Sequence, residues 1–271
     1  MSRFVQFAWK YLCAVLCSVY LFTIGIFASK HRGLVSIICR HFGCMQLPLL
    51  LPASKLSELD FDGAPLRLLE LSSVDGNASA LEIIVLSRLV QTLKPTALLE
   101  IGTFDGRTTL NLAANCSPSS QVYTLDLPRE LLSSTTLPLV PGDAVYVEKE
   151  VSGARFRGTQ YASKIVQLMG DSASFDFSKL GTQMDFIFID GSHAYEYVLR
   201  DSERARGLLR DGRGLIVWHD YTEWVGVNKA LNELFLNRPE FKNLRYFEQT
   251  SLAYLPVNVN FGAVKASSGT E

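Results

Sequence analysis

Apolar residues in this chain fall into short unbroken runs separated by stretches of helical spacing, the pattern of buried parallel strands joined by amphipathic helices. The runs are ALLEI at Ala97 to Ile101, QVYTLDL from Gln121, IVQLMG from Ile165, MDFIFID from Met184 and GLIVWHDY from Gly214. Two further runs, LRYFEQ and LAYLPV, follow a helical stretch at Val227 to Asn237, and FGAVKA is a possible third segment before a polar tail from Ser267. Between Asn77 and Lys94-Pro95, Leu81, Val85, Leu89 and Leu93 recur every fourth residue, with Asn77 as the expected cap of that helix. Glu82 on its first turn reads as a partner of the helix dipole. A helix running to Arg210 shows its wet face in Arg200, Asp201, Glu203, Arg204 and Arg206.

The N-terminal pattern is different. Tyr11 to Ser29 is free of charge and bracketed by Lys10 and Lys30. Its helical length approaches the roughly 30 Å of a hydrocarbon core, so a transmembrane helix is expected there. The run is too long for a signal-peptide core and no small-residue cleavage site follows it. The flanking basic residues place the C-terminal side, and with it the folded domain, toward the cytoplasm. Gly33 to Leu51, interrupted by Arg40 and His41, reads as an interfacial helix. The division that follows is an anchor and interfacial segment at 1–51, a turn-rich linker at 52–76 and a catalytic domain at 77–271.

Composition narrows the function. With 271 residues and 48% hydrophobic content the chain can bury a full core, and a formal net charge of -1 leaves no basic excess for nucleic acid. Four of the five cysteines, Cys13, Cys17, Cys39 and Cys44, precede the domain, so neither a disulfide framework nor a cysteine metal site is available within it.

The candidate chemistry sits where the apolar runs end. After Ile101 the chain continues Gly102-Thr-Phe-Asp-Gly106 and restarts as a helix. A dinucleotide fingerprint needs G-x-G-x-x-G, but Phe104 and Arg107 stand at the second and third glycine positions, and Asp105 would repel a pyrophosphate. What remains, acidic-x-Gly-x-x-x-Gly from Glu100 to Gly106, suits a ligand with a cationic end and no phosphate. Asp126 lies about 20 residues on, at the end of the next strand, where two carboxylate oxygens can hold two ribose hydroxyls. Asp171, Asp190 and Asp220 end the following three strands, and an open α/β sheet collects such residues at one edge. Capping a following helix is the competing role for Asp171 and Ser172. The segment 128–164 carries little apolar periodicity, and its Arg155-Phe-Arg-Gly-Thr159 fits either a lid or a surface loop.

In LLEIGTFDGRT, YTLDL, GDSASFDF, FIFIDGSHAYEYVLRD, LLRDGRGLIVWHDY and GVNKAL the chain resembles the class I S-adenosylmethionine-dependent methyltransferases, in the branch of small-molecule and sugar O-methyltransferases and cephalosporin hydroxylase-like proteins. The resemblance covers about Val74 to Leu231. It implies an α/β, Rossmann-like, doubly wound and mostly parallel seven-stranded sheet with helices on both faces, here preceded by the transmembrane helix. It also implies S-adenosylmethionine as cofactor, held by Glu100, Gly102, Thr103, Gly106, Asp126, Asp171, Ser172 and Asp190. Glu100 would face the methionine part, and the Asp171–Ser172 turn the adenine. Asp190 and Asp220 match positions that hold Mg²⁺ in metal-using members. His219 stands where an acidic ligand often occurs, which leaves Mg²⁺, a softer divalent ion and no ion open.

His193 is the candidate base, since an unperturbed imidazole with a pKa of about 6.5 suits proton abstraction near neutrality. His219 is the rival base without a metal. The expected reaction is O-methylation of a small hydroxylated acceptor, a sugar, a glycan or a lipid-linked molecule, at a membrane. The competing classes are a non-catalytic membrane-tethered module of the same fold and an NAD-dependent oxidoreductase. Base methylation is disfavoured, because Asp190-Gly-Ser-His replaces the Asn/Asp-Pro-Pro-aromatic tetrad of nucleic-acid amino-methyltransferases.

Overall fold

A computed structural model describes residues 3–28, 31, 35, 47–59 and 65–259. The chain divides into two compact units, 1–48 and 49–271.

In the first unit, α1 runs from Arg3 to Thr23, and a single 3-10 turn, Gly25–Phe27, follows. This corrects the expected span at Tyr11–Ser29. The helix starts eight residues earlier in the numbering, takes Lys10 into its body, and stops at Thr23 just ahead of Gly25, so the apolar run is split between a helix and a turn. Among the described residues no helix is long and apolar enough to cross a membrane. The transmembrane helix, the membrane anchorage and the cytoplasm-facing placement that rested on it are therefore not supported. Most of the expected interfacial helix at Gly33–Leu51, the segment FGAVKA and the tail from Ser267 lie outside the described residues.

The second unit is built on one sheet. Its strands are β1 (Ala53–Ser54), β2 (Ala97–Ile101), β3 (Gln121–Asp126), β4 (Ile165–Met169), β5 (Phe186–Ile189), β6 (Gly214–Trp218), β7 (Arg245–Phe247) and β8 (Ala253–Val257). They lie in the order β1-β7-β8-β6-β5-β2-β3-β4, with β8 antiparallel to both neighbours. The sheet is thus mixed and eight-stranded, where seven strands were expected. The extra strand is two residues of the supposed linker: Ala53 and Ser54 pair with Tyr246 and Phe247, and the Ser54 and Tyr254 hydroxyls are 2.8 Å apart. Nearby, Asn111 and Asn115 exchange hydrogen bonds with the backbone of Leu69 and Arg67, so this entry segment is bonded to the domain at several points.

The central strands carry no polar face because both faces are covered. Leu99, Ile101, Ile187, Ile216 and Trp218 pack into one layer with α4 (Tyr195–Leu208) and α5 (Val225–Asn237). Leu98, Phe186, Phe188 and Val217 pack into the other with α2 (Ala80–Leu93) and α3 (Arg107–Asn115). The α2 cap is Ser79, whose hydroxyl accepts from Glu82 N while the Glu82 carboxylate accepts from Ser79 N. Asn77, the expected cap, instead folds back to accept from Val74 N. A reciprocal box closes two orphan amides at once, which a single Asn cannot do.

From β2 the chain steps outward to β3 and β4, then returns across β2 to β5 and β6 on the other side. The chain leaves β2 and β5 toward opposite sides of the sheet, and it is at the carboxyl ends of such a pair that an open α/β sheet forms its crevice.

Candidate active site

A cleft occupies that crevice. Gly102, Asp126, Asp171, Ser172, Asp190 and His193 all line it, from the ends of β2, β3, β4 and β5 and the loops beyond them. Asp190 and His193 also line an adjoining hollow with His219 and Asp220. Glu100, Thr103 and Gly106 do not line the cleft.

The glycine loop is shaped by protein atoms. At Gly102, with φ +101°, an added Cβ would lie 1.9 Å from the Asp190 carbonyl oxygen, so the close approach is between the β2 and β5 loops themselves. At Gly106, with φ +86°, a Cβ would meet Phe156 at 2.6 Å and Gly153 at 2.9 Å. Glu100 lies beneath the loop, 1% exposed, and accepts from the hydroxyls of Thr109 and Thr124. Burial raises its pKa to about 8, against the pull of those hydrogen bonds, so it is held as a neutral acid near pH 7. Thr103 is tied to the same group through Thr124, 2.7 Å away.

Two acids stand at the cleft's other strand ends. Asp126 Oδ2 is paired with Lys149 Nζ at 2.7 Å, and that lysine also donates to Tyr146 O at 3.0 Å. Asp171 accepts at both oxygens, from Ala173 N and Tyr197 Oη at Oδ1 and from Thr136 N at Oδ2. Burial works to raise its pKa, and these donors outweigh it and hold it below the usual value. The Ser172 hydroxyl is turned to Asp201 at 3.1 Å.

At the inner end, acids and imidazoles alternate. His193 Nδ1 lies 2.6 Å from Asp143 Oδ1 and Nε2 lies 3.0 Å from Asp220 Oδ2, with Trp224 stacked on the ring at a centroid distance of 4.0 Å. Burial alone would lower its pKa, but the two carboxylates prevail and raise it to about 9. The resting imidazole is therefore protonated at neutral pH, unlike the unperturbed base expected from sequence. His219 Nδ1 faces Asp190 Oδ1 at 3.0 Å and Asp220 Oδ2 at 3.1 Å, while Nε2 faces Glu82 Oε2 at 3.2 Å. Its pKa also rises well above the ordinary value, since burial is outweighed by Asp220 and Asp190. Asp220 is held far below the carboxylate range, its burial offset by both histidines, whereas burial pushes Asp190 up.

Asp190, His219 and Asp220 each present a ligand atom within 4.8 Å of the others. Contacts near 3 Å between Nδ1 and two carboxylate oxygens are what adjacent ligands about 2.1 Å from one ion would show. Glu82 at the far nitrogen is the carboxylate partner that metal-bound histidines commonly have. The residues fit a divalent ion, and one nitrogen beside two oxygens favours a transition ion over Mg²⁺.

Sequence reasoning missed Asp143, Tyr146 and Lys149, all from the segment between β3 and β4, and gave Glu82 only its helix-end role. No periodicity marks the first three. The one local signal is Gly142, where a Cβ would lie 2.7 Å from the Trp224 ring.

Residues 99–221 match the family profile described as a methyltransferase domain. None of the curated proteins compared with the chain matches it. Among solved structures, Podospora anserina methyltransferase PaMTH1 with SAH bound superposes with a TM-score of 0.50 at 14% identity, covering 68% of this chain and 81% of that one. The O-methyltransferase from Bacillus cereus in complex with SAH gives 0.45 at 18% identity, with 68% and 83% covered. Cofactor-bound Rv0187 from MTB gives 0.49 at 19% identity, with 70% and 85% covered. At such identities the likeness is one of fold, and only the first score reaches a level that bears on it. The matched stretch, similar to a methyltransferase domain, runs from within β2 to just past β6 and so takes in the glycine loop, the acids that end β3 to β6 and both histidines.

Proposed function

We propose that the chain binds S-adenosylmethionine in the cleft beside Asp126 and transfers its methyl group to the hydroxyl of a small acceptor, with a sugar the favoured class. The observation that carries this reading is the convergence of Gly102, Asp126, Asp171, Asp190 and His193 on one crevice at the β2/β5 switch point of a methyltransferase domain. Asp126 offers the ribose its carboxylate once Lys149 moves or shares it. The loop lacks the dinucleotide glycines, which disfavours a pyrophosphate there, while Asp105 is bonded to Arg155 at 2.7 Å.

In the reaction the acceptor oxygen forms a bond to the methyl carbon as the carbon–sulfur bond breaks. Sulfur keeps the bonding pair and leaves as a thioether, and the hydroxyl proton goes to the hydrogen-bonded His193–Asp220 pair, 3.0 Å apart. Because His193 rests protonated, the pair becomes a competent base only after losing that proton, and its titration belongs to the pair. A divalent ion held by Asp190, His219 and Asp220 would lower the acceptor hydroxyl's pKa when bound. The strand-end carboxylates, beside the cleft-lining rings of Phe104 and Tyr146, suit a sugar's polar edge and C–H face.

The test is incubation with methyl-labelled S-adenosylmethionine and a panel of monosaccharides, sugar nucleotides and catechols, with and without chelator. Label transferred to a hydroxylated acceptor supports the reading. Tight binding of NAD with none of S-adenosylmethionine would reverse it.

A further inference from the structure

The loop beyond β5 is held from across the cleft by one side chain. Asp143 is 4% exposed, yet it belongs to the segment between β3 and β4, remote in sequence from the histidine it meets. Its Oδ2 accepts from Ser192 Oγ at 2.6 Å and from His193 N at 3.3 Å, and its Oδ1 meets His193 Nδ1 at 2.6 Å. The residue is itself anchored: Asp143 N donates to Val140 O, and Tyr146 N donates back to Asp143 O. Gly142 beside it lies against Trp224, and the Trp224 ring lies on the imidazole. Tyr146 approaches the same imidazole edge-on at 5.9 Å.

Holding the loop needs only the contacts to Ser192 and the His193 amide. The contact at Nδ1 does something else. A carboxylate 2.6 Å from Nδ1 is met by a proton there, which leaves Nε2 as the nitrogen that faces Asp220. With one ring face covered by Trp224 and both ring nitrogens engaged, the imidazole has no second orientation of equal quality.

We infer that Asp143 is the positioning residue of the reaction: it fixes His193 by Nδ1 so that Nε2 is presented to Asp220 and to the acceptor oxygen. The segment 128–164 then carries part of the active site. This rests on the methyltransferase reading above, and the experiment separates the two.

Nitrogen-15 imidazole spectra of the full chain, with His193 assigned by His193→Gln, should show a proton on Nδ1 in a strong hydrogen bond. Asp143→Asn retains the shape and volume, so the fold and the affinity for S-adenosylhomocysteine should stay within about twofold. The Nδ1 signature should be lost, and kcat on the fastest acceptor of the panel should fall about tenfold or more with KM little changed. Asp143→Glu should restore part of both. An unprotonated Nδ1 in the wild-type spectrum overturns the inference even if Asp143→Asn does not fold, and so does unchanged kcat in a folded Asp143→Asn. Failure of the wild type to bind S-adenosylmethionine would overturn the function, and the inference with it, while the spectrum still reports the Asp143–His193 contact.

Discussion

The loop after β2 and the segment between β3 and β4 wall the same cleft, and only the first announces itself in sequence. Gly102 and Gly106 are forced by local geometry, a positive φ and a backbone contact, and glycine is the only residue that meets both without strain. Asp143, Tyr146 and Lys149 are ordinary residues in a stretch without a long element, and their roles come wholly from what lies opposite. The two regions are also bonded to each other. Gly153 N donates to Phe104 O and Arg155 N to Asp105 O, each at 2.9 Å, and the Arg155 side chain closes on Asp105. A motif is legible when the backbone itself demands the residue; a contact across a cleft is not.

The largest expected effect sharpens the first half of that comparison. Gly102→Ala should cost about 3 kcal/mol or more in chemical denaturation, because its Cβ has no room against Asp190 O and the φ is left-handed. Gly158→Ala, at φ +71° with nothing within 4 Å of the added Cβ, meets only the backbone penalty and should cost about 1 kcal/mol. Equal losses at the two sites would remove the argument that the β2 loop is set by its contact with the β5 loop.

The second prediction concerns the acids around His193. Its folded pKa is raised to about 9, so the proton-free form grows as pH rises, and turnover should climb about tenfold per unit toward that value before levelling. A pH profile of kcat in the labelled-methyl assay checks this. A profile already flat from about pH 7 would mean that an imidazole with the ordinary value carries the proton, as the sequence alone suggested.

The smallest effect tests the other contact from the β3–β4 segment. Lys149 holds the Asp126 oxygen that the ribose is expected to use, so Lys149→Met should tighten S-adenosylhomocysteine binding by about twofold to tenfold, the worth of one modest hydrogen bond. Weakened binding in calorimetry would show instead that Lys149 stays and donates to the ligand.

The strands β2, β3, β5, β6 and β8 were legible because strands well covered by helices are almost uninterrupted apolar runs, and the half-exposed β4 and β7 still carry short apolar stretches. The edge strand β1 was not, since two residues carry no period and owe their conformation to β7. The hydropathy of Tyr11–Ser29 marked an apolar stretch correctly but not the helix within it, because helix ends are set by capping and glycine, which put the stop at Thr23. In the site, the strand-end acids followed from the topology of open sheets. Glu100 did not behave as the resemblance implied: it is sealed under the loop by Thr109 and Thr124, away from the cleft.

Titration calorimetry with S-adenosylmethionine tests whether the cleft at the β2/β5 switch point holds that cofactor through Asp126. The wild-type chain should bind one equivalent saturably, and a folded Asp126→Ala should lose about 1.5 to 3 kcal/mol for each ribose hydrogen bond removed, on the order of tenfold or more in Kd. No binding by the wild type, or the same affinity in Asp126→Ala, would contradict it.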